Sequence, residues 1–350
     1  MSIASKQVDK KANKTPDKIK VSGVILVDKP QGMTSQQVVS KVKYLFKSPM
    51  HDSKKAGHTG TLDPMATGLL PICLGEATKF SHYQLDADKS YQATILLGSQ
   101  TDTGDADGQV TARASIPEFD EDSLATIAQQ FLGAQQQIPP MYSALKKDGK
   151  KLYEYARAGI EVDRPPRDIT IKAIDLNVID DQQIRLTVTC TKGTYVRVLA
   201  EDIAKGLGTL GHLTALRRTQ VGKFSIDKSI ALSSLEECGL EERQPWLLPI
   251  DACINIDAEL TLTEEQCARV HMGQRLNVFD ELNGELGNYI SNEVSYQLTN
   301  DNAVSTNDTD LEIDKEGDTD LESSQPVAHE IPIDIRLLNE QGEFLGLGAV

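Results

Sequence analysis

The sequence predicts an α+β fold in two domains. Strand and helix signals are mixed along the first part of the chain without the regular strand–helix alternation of a parallel α/β sheet, which favours a mixed or antiparallel sheet. Pro245 and Pro249 interrupt the pattern near 246–256, and only short strand signals follow. A chain of 350 residues is long enough for a second domain. We therefore expect a mixed-sheet core at 21–250 and a small all-β domain at 251–350.

The first elements are predicted to be a polar arm, a strand and a capped helix. Residues 1–20 are polar and lysine-rich, and we expect a disordered basic arm there. An apolar run at 22–28 predicts a strand. Thr34 and Gln37 have the spacing of a capping box, in which each side chain hydrogen-bonds the backbone of the other residue, so a helix is expected at about 35–46.

Further elements follow up to the domain boundary and beyond it. Apolar and polar residues alternate at 89–98, and this period of two predicts a strand with one buried face. The other predictions for the first domain are helices at 123–132 and 195–207 and strands at 169–179, 183–190 and 213–224. The second domain is expected to contain strands at 257–262, 275–278 and 331–347, interrupted by an acidic insertion at about 281–330.

The net charge of −16 hides two basic regions and one strongly acidic region. Residues 1–60 hold twelve lysines against four aspartates, and residues 140–225 hold fifteen Lys or Arg against ten Asp or Glu. Residues 280–330 hold fourteen carboxylates against one lysine, so we expect the insertion to be disordered or loosely held. Because regional charge governs binding to phosphates, the basic regions keep a nucleic acid among the candidate partners.

Several classes of site are excluded by their missing motifs. The five cysteines are scattered without a C-x-x-C pair, which argues for a reducing compartment and against a disulfide framework or cysteine zinc site. The six histidines lack zinc-motif spacings, and there is no P-loop, dinucleotide loop or nucleophilic-serine elbow. No run approaches the roughly 18 apolar residues of a membrane span, and there is no secretory signal. We expect a cytoplasmic protein whose chemistry needs no metal and no membrane.

Residues 57–68, with the sequence GHTGTLDPMATG, hold one carboxylate in a segment suited to tight backbone. Its glycines permit positive φ or the close approach of another chain. Pro64 fixes its own φ and biases Asp63 towards extended geometry, so Asp63 is expected to project from a rigid loop. From these residues alone, Asp63 could be a nucleophile, a general base or an ordinary turn aspartate.

Other candidate residues lie near predicted element ends. Tyr195 and Arg197 belong to the motif K-G-T-Y-V-R at an expected helix start, where a guanidinium could pair with a carboxylate and lower the pKa of that carboxyl group. Tyr91 heads a predicted strand, and His58 lies in the glycine-rich loop. The alternatives are a surface arginine for Arg197, a core or interface tyrosine for Tyr91, and a solvated or capping histidine for His58.

Residues 146–157 alternate cations with tyrosines in the sequence KKDGKKLYEYAR. This pattern suits contacts to RNA phosphates and stacking on RNA bases, although a solvated helix face has the same composition. Arg217 and Arg218, near a strand end, would add to this basic surface.

Four motifs resemble those of the bacterial TruB-type tRNA pseudouridine-55 synthases. They are GVILVDKPQGMTS at 23–35, GHTGTLDPMATGLLP at 57–71, KKLYEYARAGIEV at 150–162 and KGTYVR at 192–197. The resemblance covers about residues 22–225 and is highly specific, because both order and spacing match. It implies the mixed-sheet α+β core of pseudouridine synthases, with a central cleft, followed by a small all-β PUA-like domain.

The resemblance also implies a reaction and a partner. These enzymes isomerise uridine-55 in the T-loop of tRNA to pseudouridine: the C1′–N1 bond breaks, the base rotates while bound, and C5 bonds to C1′. The reaction needs no cofactor. The expected partner is the T-arm stem-loop of tRNA, and the chain is expected to be a monomer. The acidic insertion at about 281–330 is not part of the usual PUA-like domain.

The same resemblance implies roles for individual residues. Asp63 matches the catalytic aspartate, and three roles stay open for it: addition to the ribose, addition to the base, or action as a base on the sugar. Arg197 matches the arginine that pairs with this aspartate. The matches to substrate contacts are Tyr91, which stacks on the target base, Tyr195 and Leu216, which line the uridine pocket, and His58, which stacks within the T-loop. Residues around 140–165 match a mobile loop that closes over the RNA.

Two alternative functions require different chemistry. An RNA-folding chaperone would open and re-anneal the tRNA elbow without needing the carboxylate of Asp63. A glycosidase would need a second catalytic acid near Asp63. Its candidates, by turn composition only, are Asp102, Asp105 and Asp107.

Overall fold

The computed structural model describes three stretches of the chain, 18–277, 284–305 and 332–350. The chain divides into two compact units, Met1–Ile254 and Asn255–Val350. Most of the arm predicted at 1–20 lies outside the described residues. Its last residues are ordered rather than disordered, because Ile19 and Lys20 pair with His51 and Asp52 in a short parallel ladder.

The strands of the first unit are β1 (Ile19–Lys20), β2 (Gly23–Lys29), β3 (His51–Asp52), β4 (Ala56–His58), β5 (Thr67–Leu74), β6 (Lys89–Leu97), β7 (Ser99–Thr101), β8 (Val110–Arg113), β9 (Gly133–Gln137), β10 (Lys146–Lys147), β11 (Lys150–Lys151), β12 (Arg167–Val178), β13 (Gln183–Cys190), β14 (Gly211–Val221), β15 (Phe224–Ser225) and β16 (Ile230–Ala231). Its α-helices are α1 (Ser35–Leu45), α2 (His82–Leu85), α3 (Glu121–Phe131), α4 (Leu152–Arg157), α5 (Val196–Gly206), α6 (Leu232–Glu237) and α7 (Leu240–Arg243). Short 3-10 helices cover Gly75–Phe80, Ile226–Lys228 and Gln244–Trp246.

One mixed sheet organises the first unit and confirms the predicted α+β class. Its strands run in the order β16-β2-β5-β14-β6-β13-β12-β9, with β4 paired to β5 and β15 paired to β14. Most neighbours are antiparallel, whereas β16 with β2 and β5 with β14 are parallel. The β5–β14 ladder has two residue pairs, Thr67 with Arg217 and Gly68 with Arg218. This short ladder joins the two halves of the sheet.

Helices pack on both halves of the sheet. In one buried cluster, Leu199 and Ile203 of α5 and Leu124 of α3 pack against apolar residues of β6, β12, β13 and β14. In a second cluster, Val38 and Val42 of α1 pack against apolar residues of β2 and β5. Burial of these apolar faces is the main source of stability for helices of this length.

Helix α1 begins where the capping box predicts. The Thr34 hydroxyl accepts a hydrogen bond from the Gln37 N–H at 3.2 Å, and the Gln37 side-chain oxygen accepts one from the Thr34 N–H at 2.8 Å. The box leaves Ser35 as the first helical residue, with a buried side chain. That position matters below, because Ser35 holds the loop that carries Asp63.

The second unit differs from the predicted all-β domain. Its elements are β17 (Glu259–Thr261), α8 (Glu264–His271), α9 (Gly284–Ser305), β18 (Asp334–Leu338) and β19 (Phe344–Ala349). The three strands form one sheet in the order β17-β18-β19. The strand predicted at 275–278 is not formed by the described residues 275–277. Helix α8 was missed although Thr263 and Gln266 form a capping box at its start.

Part of the acidic insertion is helical, whereas a disordered or loosely held segment was expected there. Residues 284–305 form α9, whereas 281–283 and 306–330 lie outside the described residues. The prediction averaged charge over the whole insertion, but 284–305 contain only three carboxylates. Within the described ranges, no helix combines the length and apolar character needed to cross a membrane.

Candidate active site

The loop between β4 and β5 carries Asp63 and is anchored on both sides of it. The Ser35 hydroxyl accepts a hydrogen bond from the Leu62 N–H at 2.8 Å and donates one to the Leu62 carbonyl at 3.0 Å. The Pro64 carbonyl accepts a hydrogen bond from the Gly32 N–H at 2.8 Å. The backbone on each side of Asp63 is therefore fixed to the segment between β2 and α1.

Arg197, in the first turn of α5, contacts Asp63 directly. Its side chain is only 5% exposed, and its Nε lies 2.9 Å from Asp63 Oδ2 and 3.7 Å from Asp105 Oδ2. Its Nη1 and Nη2 donate to the carbonyls of Thr103 at 2.5 Å and Tyr142 at 2.7 Å. One buried guanidinium thus contacts two carboxylates and two carbonyls, which fixes its orientation towards Asp63.

Turn composition alone made Asp105 a candidate second catalytic acid. In the structure it is instead a buried partner of Arg197. Its carboxylate is buried, and Oδ1 accepts hydrogen bonds from the Thr103 hydroxyl at 2.5 Å and the Asp107 N–H at 3.2 Å. Its other oxygen faces Arg197. Asp105 is therefore occupied in holding the guanidinium, which removes it as the second catalytic acid of a glycosidase.

Burial and charge act in opposite directions on Asp63. Burial raises the pKa of the carboxyl group, Arg197 lowers it and Asp105 raises it, and the net direction is upward. The predicted lowering by a guanidinium is present, but desolvation outweighs it. The Asp63 side chain nevertheless keeps 36% of its surface exposed, so the carboxylate is accessible from solvent.

Lys29, the last residue of β2, is part of the site and was not singled out from the sequence. Its side chain is fully buried, and Nζ donates to the carbonyls of Pro30 at 2.9 Å, Pro64 at 3.3 Å and Ala66 at 2.6 Å. Burial lowers the pKa of Lys29 to about 8, against the opposing charge of Asp63. A lysine that ends an otherwise apolar strand, directly before a proline, is the signal that could have found it.

Arg218 of β14 holds the backbone at both ends of the loop. It is 1% exposed, Nε donates to the Leu69 carbonyl at 2.8 Å, and Nη2 donates to the Gly60 carbonyl at 3.1 Å. Burial raises the pKa of the nearby Tyr91 hydroxyl, and the charge of Arg218 acts in the opposite direction. The interpretation of Arg218 as part of an exposed basic surface was therefore wrong, because this arginine is a buried support of the loop.

Gly68 lets strand β14 approach the end of the loop. Its φ is +104°, and a Cβ at this position would collide with the backbone of Arg218. Any other residue would be strained in φ and would push the two strands apart. The neighbouring Arg217 lies on the other side of β14 and forms a two-pronged ion pair with Asp28, at 2.7 and 3.0 Å.

The predicted pocket residues gather around the same loop. Tyr91 and Leu216 are buried in one cluster with Leu62 and Met65, which flank Asp63 in sequence. Tyr195 is the N-cap residue of α5. The Gln137 side chain accepts from the Tyr195 N–H at 2.8 Å and donates to the Tyr195 carbonyl at 3.2 Å, which fixes the backbone two residues before Arg197.

His58 lies on β4, at the entrance of the loop, and is half-buried. Its Nδ1 accepts a hydrogen bond from the Gly60 N–H at 3.3 Å. Burial and the charge of Arg218 lower the pKa of the imidazole, which favours its neutral form. His58 is thus connected to the site through Gly60 and Arg218, without a direct hydrogen bond to Asp63 in the described structure.

The basic-aromatic stretch forms the β10–β11 hairpin and α4. The Tyr153 ring contacts two cations, with Lys151 Nζ 5.5 Å and Arg157 Cζ 5.3 Å from its centroid. The segment that leads into this hairpin reaches the site through the Tyr142 carbonyl on Arg197.

Comparison with known proteins matches two family models to this chain. Residues 47–196 match the N-terminal domain of TruB family pseudouridylate synthases, and residues 197–255 match the C-terminal domain of tRNA pseudouridylate synthase B. A tRNA pseudouridine synthase B from Psychrobacter cryohalolentis is 74% identical over the whole chain and 96% of the relative. The chain belongs to the TruB family of pseudouridylate synthases. Its activity is the isomerisation of uridine in tRNA to pseudouridine, as the four motifs predicted.

More distant relatives and solved structures agree with this assignment. A tRNA pseudouridine synthase B from Aromatoleum aromaticum is 49% identical over 73% of this chain and 81% of the relative. Among solved structures, a chain of a Cbf5-Nop10-Gar1 complex matches with a TM-score of 0.58 at 22% identity, covering 94% of this chain and 78% of that one. This structural likeness supports the synthase fold.

Proposed function

We propose that this synthase isomerises uridine-55 in the T-loop of tRNA and that Asp63 is its catalytic residue. The observation that carries the proposal is a solvent-accessible carboxylate on an anchored loop, 2.9 Å from a guanidinium that is held in place by three further groups.

The isomerisation breaks the C1′–N1 bond, turns the uracil and forms a C1′–C5 bond. C5 loses its proton to solvent and N1 gains one, so the reaction is balanced without a redox partner. Asp63 would add to the ribose, add to the base or remove a proton from the sugar, and each role requires the ionised carboxylate. Arg197 favours the ionised form, while burial raises the pKa and thereby makes the carboxylate more basic.

The substrate contacts are proposed from the resemblance to TruB-type synthases, whose matching residues lie around the Asp63 loop in this chain. A flipped uridine would stack on the Tyr91 ring, with Leu216 and Tyr195 on the walls of its pocket, and stacking recovers about 1–3 kcal/mol of the cost of leaving the RNA stack. The neutral imidazole of His58, at the start of the loop, suits stacking on a second T-loop base. Residues around 140–165 would close over the RNA, and the Tyr142 carbonyl on Arg197 supports this placement.

The wider assignments are also proposals. We infer a catalytic domain at 21–250 and an accessory PUA-like domain at 251–350, to which the β17-β18-β19 sheet would belong. The enzyme would act as a monomer on the T-arm of tRNA in the cytoplasm. The five free cysteines support a reducing compartment.

The test is Asp63→Asn, which keeps the shape of the side chain and removes its charge. We expect pseudouridine formation to fall by at least about 10³-fold, because an amide cannot act as nucleophile or base. Tritium release from a T-arm stem-loop labelled at uridine C5 measures the reaction, and mass spectrometry of the product locates the modified position.

Asp181→Asn, on the exposed turn between β12 and β13, is the matched control and should keep full activity. Binding of the stem-loop by Asp63→Asn should stay within a few-fold of the unsubstituted protein. Undiminished tritium release by Asp63→Asn would refute the role of Asp63, and modification at another uridine would refute the target position. Accelerated tRNA refolding by Asp63→Asn would reveal a separate chaperone activity.

A further inference from the structure

Three consecutive glutamines end strand β9, and their side chains have different surroundings. Gln135 Nε2 donates to the Phe131 carbonyl at 2.6 Å, and Gln136 Nε2 donates to a carboxylate oxygen of Asp168 at 3.1 Å. Gln136 is exposed, whereas Gln137 is only 6% exposed. Burial of an amide is costly unless its oxygen and its nitrogen both find partners, so the position of Gln137 depends on the groups that it binds.

Both ends of the Gln137 amide bind the backbone of one residue, Tyr195. Oε1 accepts a hydrogen bond from the Tyr195 N–H at 2.8 Å, and Nε2 donates one to the Tyr195 carbonyl at 3.2 Å. A residue of a neighbouring β-strand exchanges the same pair of hydrogen bonds with its partner. A primary amide carries a donor and an acceptor side by side, which a carboxylate or an aliphatic side chain does not, so glutamine suits this position.

The start of helix α5 relies on these two hydrogen bonds. Tyr195 is the N-cap residue, but its side chain makes no capping hydrogen bond of the kind that usually fixes a helix start. Its carbonyl also accepts the first bond within the helix, from the Leu199 N–H at 3.1 Å. Earlier in the chain, the Thr191 hydroxyl accepts from the Thr170 N–H of β12 at 2.8 Å. Gln137 is therefore the anchor that lies next to the helix.

The segment that begins at Gln137 contacts the first turn of α5 a second time. Arg197 lies two residues after Tyr195, and its Nε is 2.9 Å from Asp63 Oδ2. Its Nη2 donates to the carbonyl of Tyr142 at 2.7 Å. Tyr142 comes five residues after Gln137, and two prolines between them restrict the backbone. One short, stiff segment thus contacts both the backbone of Tyr195 and the guanidinium of Arg197.

We propose that Gln137 is a positioning residue for the isomerisation. It holds the Tyr195 backbone so that Arg197 Nε faces Asp63 and the Tyr195 ring stays on the wall of the proposed uridine pocket. The inference rests on the proposed function, because the direction of Arg197 matters only if Asp63 performs the chemistry. Displacement of a catalytic group by about 1 Å can cost about 10²-fold in rate, so an anchor next to the helix start affects turnover.

The charges around Asp63 provide a readout that a loss of stability alone does not change. Arg197 and Lys29 lower the pKa of the Asp63 carboxyl group, whereas burial and Asp105 raise it. If the start of α5 shifts, Arg197 moves away from Asp63 and the pKa of this carboxyl group rises further. Because the reaction requires the ionised carboxylate, the acid limb of the kcat–pH profile then moves to higher pH.

The test compares Gln137→Met and Gln137→Asn with the matched control Gln136→Met. Methionine keeps the length of the side chain without its hydrogen bonds, and asparagine keeps the amide on a stem that is one methylene shorter. Gln136 is the same residue type on the same strand, with its side chain on Asp168. The kcat and KM of each protein on a T-arm stem-loop are measured across about pH 5 to 8, together with its Tm, and Asp63→Asn is assayed alongside.

For Gln137→Met we expect kcat to fall about 10- to 100-fold with KM within about three-fold, and the acid limb to move to higher pH. Gln137→Asn should change in the same direction by less, and it decides by the same criteria if Gln137→Met does not fold. Gln136→Met should keep full activity. A fall in Tm with unchanged kcat and pH profile, or an equal loss in Gln136→Met, would overturn the inference. An active Asp63→Asn protein would instead refute the proposed function.

Discussion

Two buried arginines support the Asp63 loop, and they differ in what balances their charge. Arg197 contacts the carboxylates of Asp63 and Asp105, whereas Arg218 donates to the carbonyls of Leu69 and Gly60. The middle of the loop is thus held by an ion pair, at Asp63. Its two ends are held by hydrogen bonds from Arg218, a cation that has no carboxylate within ion-pair distance in the described structure.

The difference appears in the neighbouring titratable groups. Arg218 contributes to the lowered pKa of Lys29, Lys89 and His58, because its positive charge opposes a second one nearby. Arg197 instead lowers the pKa of the Asp63 carboxyl group, against the larger effect of burial. Arg197 therefore orients the carboxylate of Asp63 and favours its ionised form. Arg218 fixes the loop backbone, and its charge repels the protonated forms of Lys29 and Lys89.

Arg197→Ala tests the ion pair with Asp63 and should have the largest effect. The variant leaves two carboxylates near each other without their cation, so we expect the free energy of unfolding to fall by about 3–5 kcal/mol. Pseudouridine formation should fall by about 10³-fold, because Asp63 loses the donor that orients it. Urea denaturation and tritium release measure the two effects.

The matched control for that variant is Arg197→Lys, which keeps the charge but not the planar fork. It should regain more stability than activity. Equal recovery of both would mean that charge alone, without the geometry of the guanidinium, is what Asp63 requires.

Arg218→Gln tests the hydrogen bonds to the loop backbone and should have a smaller effect. We expect a loss of about 2 kcal/mol in the free energy of unfolding, since hydrogen bonds from a charged donor are lost but no carboxylate is left without its partner. Removal of the cation should also raise the pKa of Lys89, which NMR titration would follow. A greater loss of stability than in Arg197→Ala would reverse the comparison.

The smallest expected effect is a dependence of stability on pH caused by Lys89. Burial is the main reason why the pKa of this lysine is lowered from 10.5 to about 8. Between these pH values the folded state has lost a proton that the unfolded state still binds, so this lysine makes stability rise with pH. From pH 8 to 9 its contribution is about 1 kcal/mol.

Urea denaturation of the unsubstituted protein and of Lys89→Met between pH 7 and 9.5 measures that contribution. The stability difference between the two proteins should change with pH across this range. A difference that stays constant would show that Lys89 titrates in the fold as it does in the unfolded chain.

The parts of the fold that could be predicted have local causes. The capping box of Thr34 and Gln37 sets the start of α1, and the alternation at 89–98 matches β6. The order of four motifs identified the family and, with it, the pairing of Asp63 with Arg197. These signals need only neighbouring residues or the order of segments along the chain.

The parts that were missed depend on contacts between distant residues. Arg218 looks like an ordinary surface cation in sequence, and Lys29 carries only the weak signal of a lysine at the end of an apolar strand. The roles of both arise only when β2, β5 and β14 assemble around the loop. Asp105 becomes a partner of Arg197 in the same way. In the second unit, regional composition concealed a helix at 284–305 because the carboxylates are concentrated outside it.

The two residue pairs between β5 and β14 also determine how far the two halves of the sheet could slide against each other at the site. Asp63 lies on the loop between β4 and β5, in one half of the sheet. Tyr91 lies on β6 in the other half, and Arg197 lies on α5, which packs against β14. Sliding of one half against the other would be opposed by Gly68 and Arg218 at this ladder. A change in the 2.9 Å separation of Asp63 and Arg197 would therefore report such a sliding movement at the site.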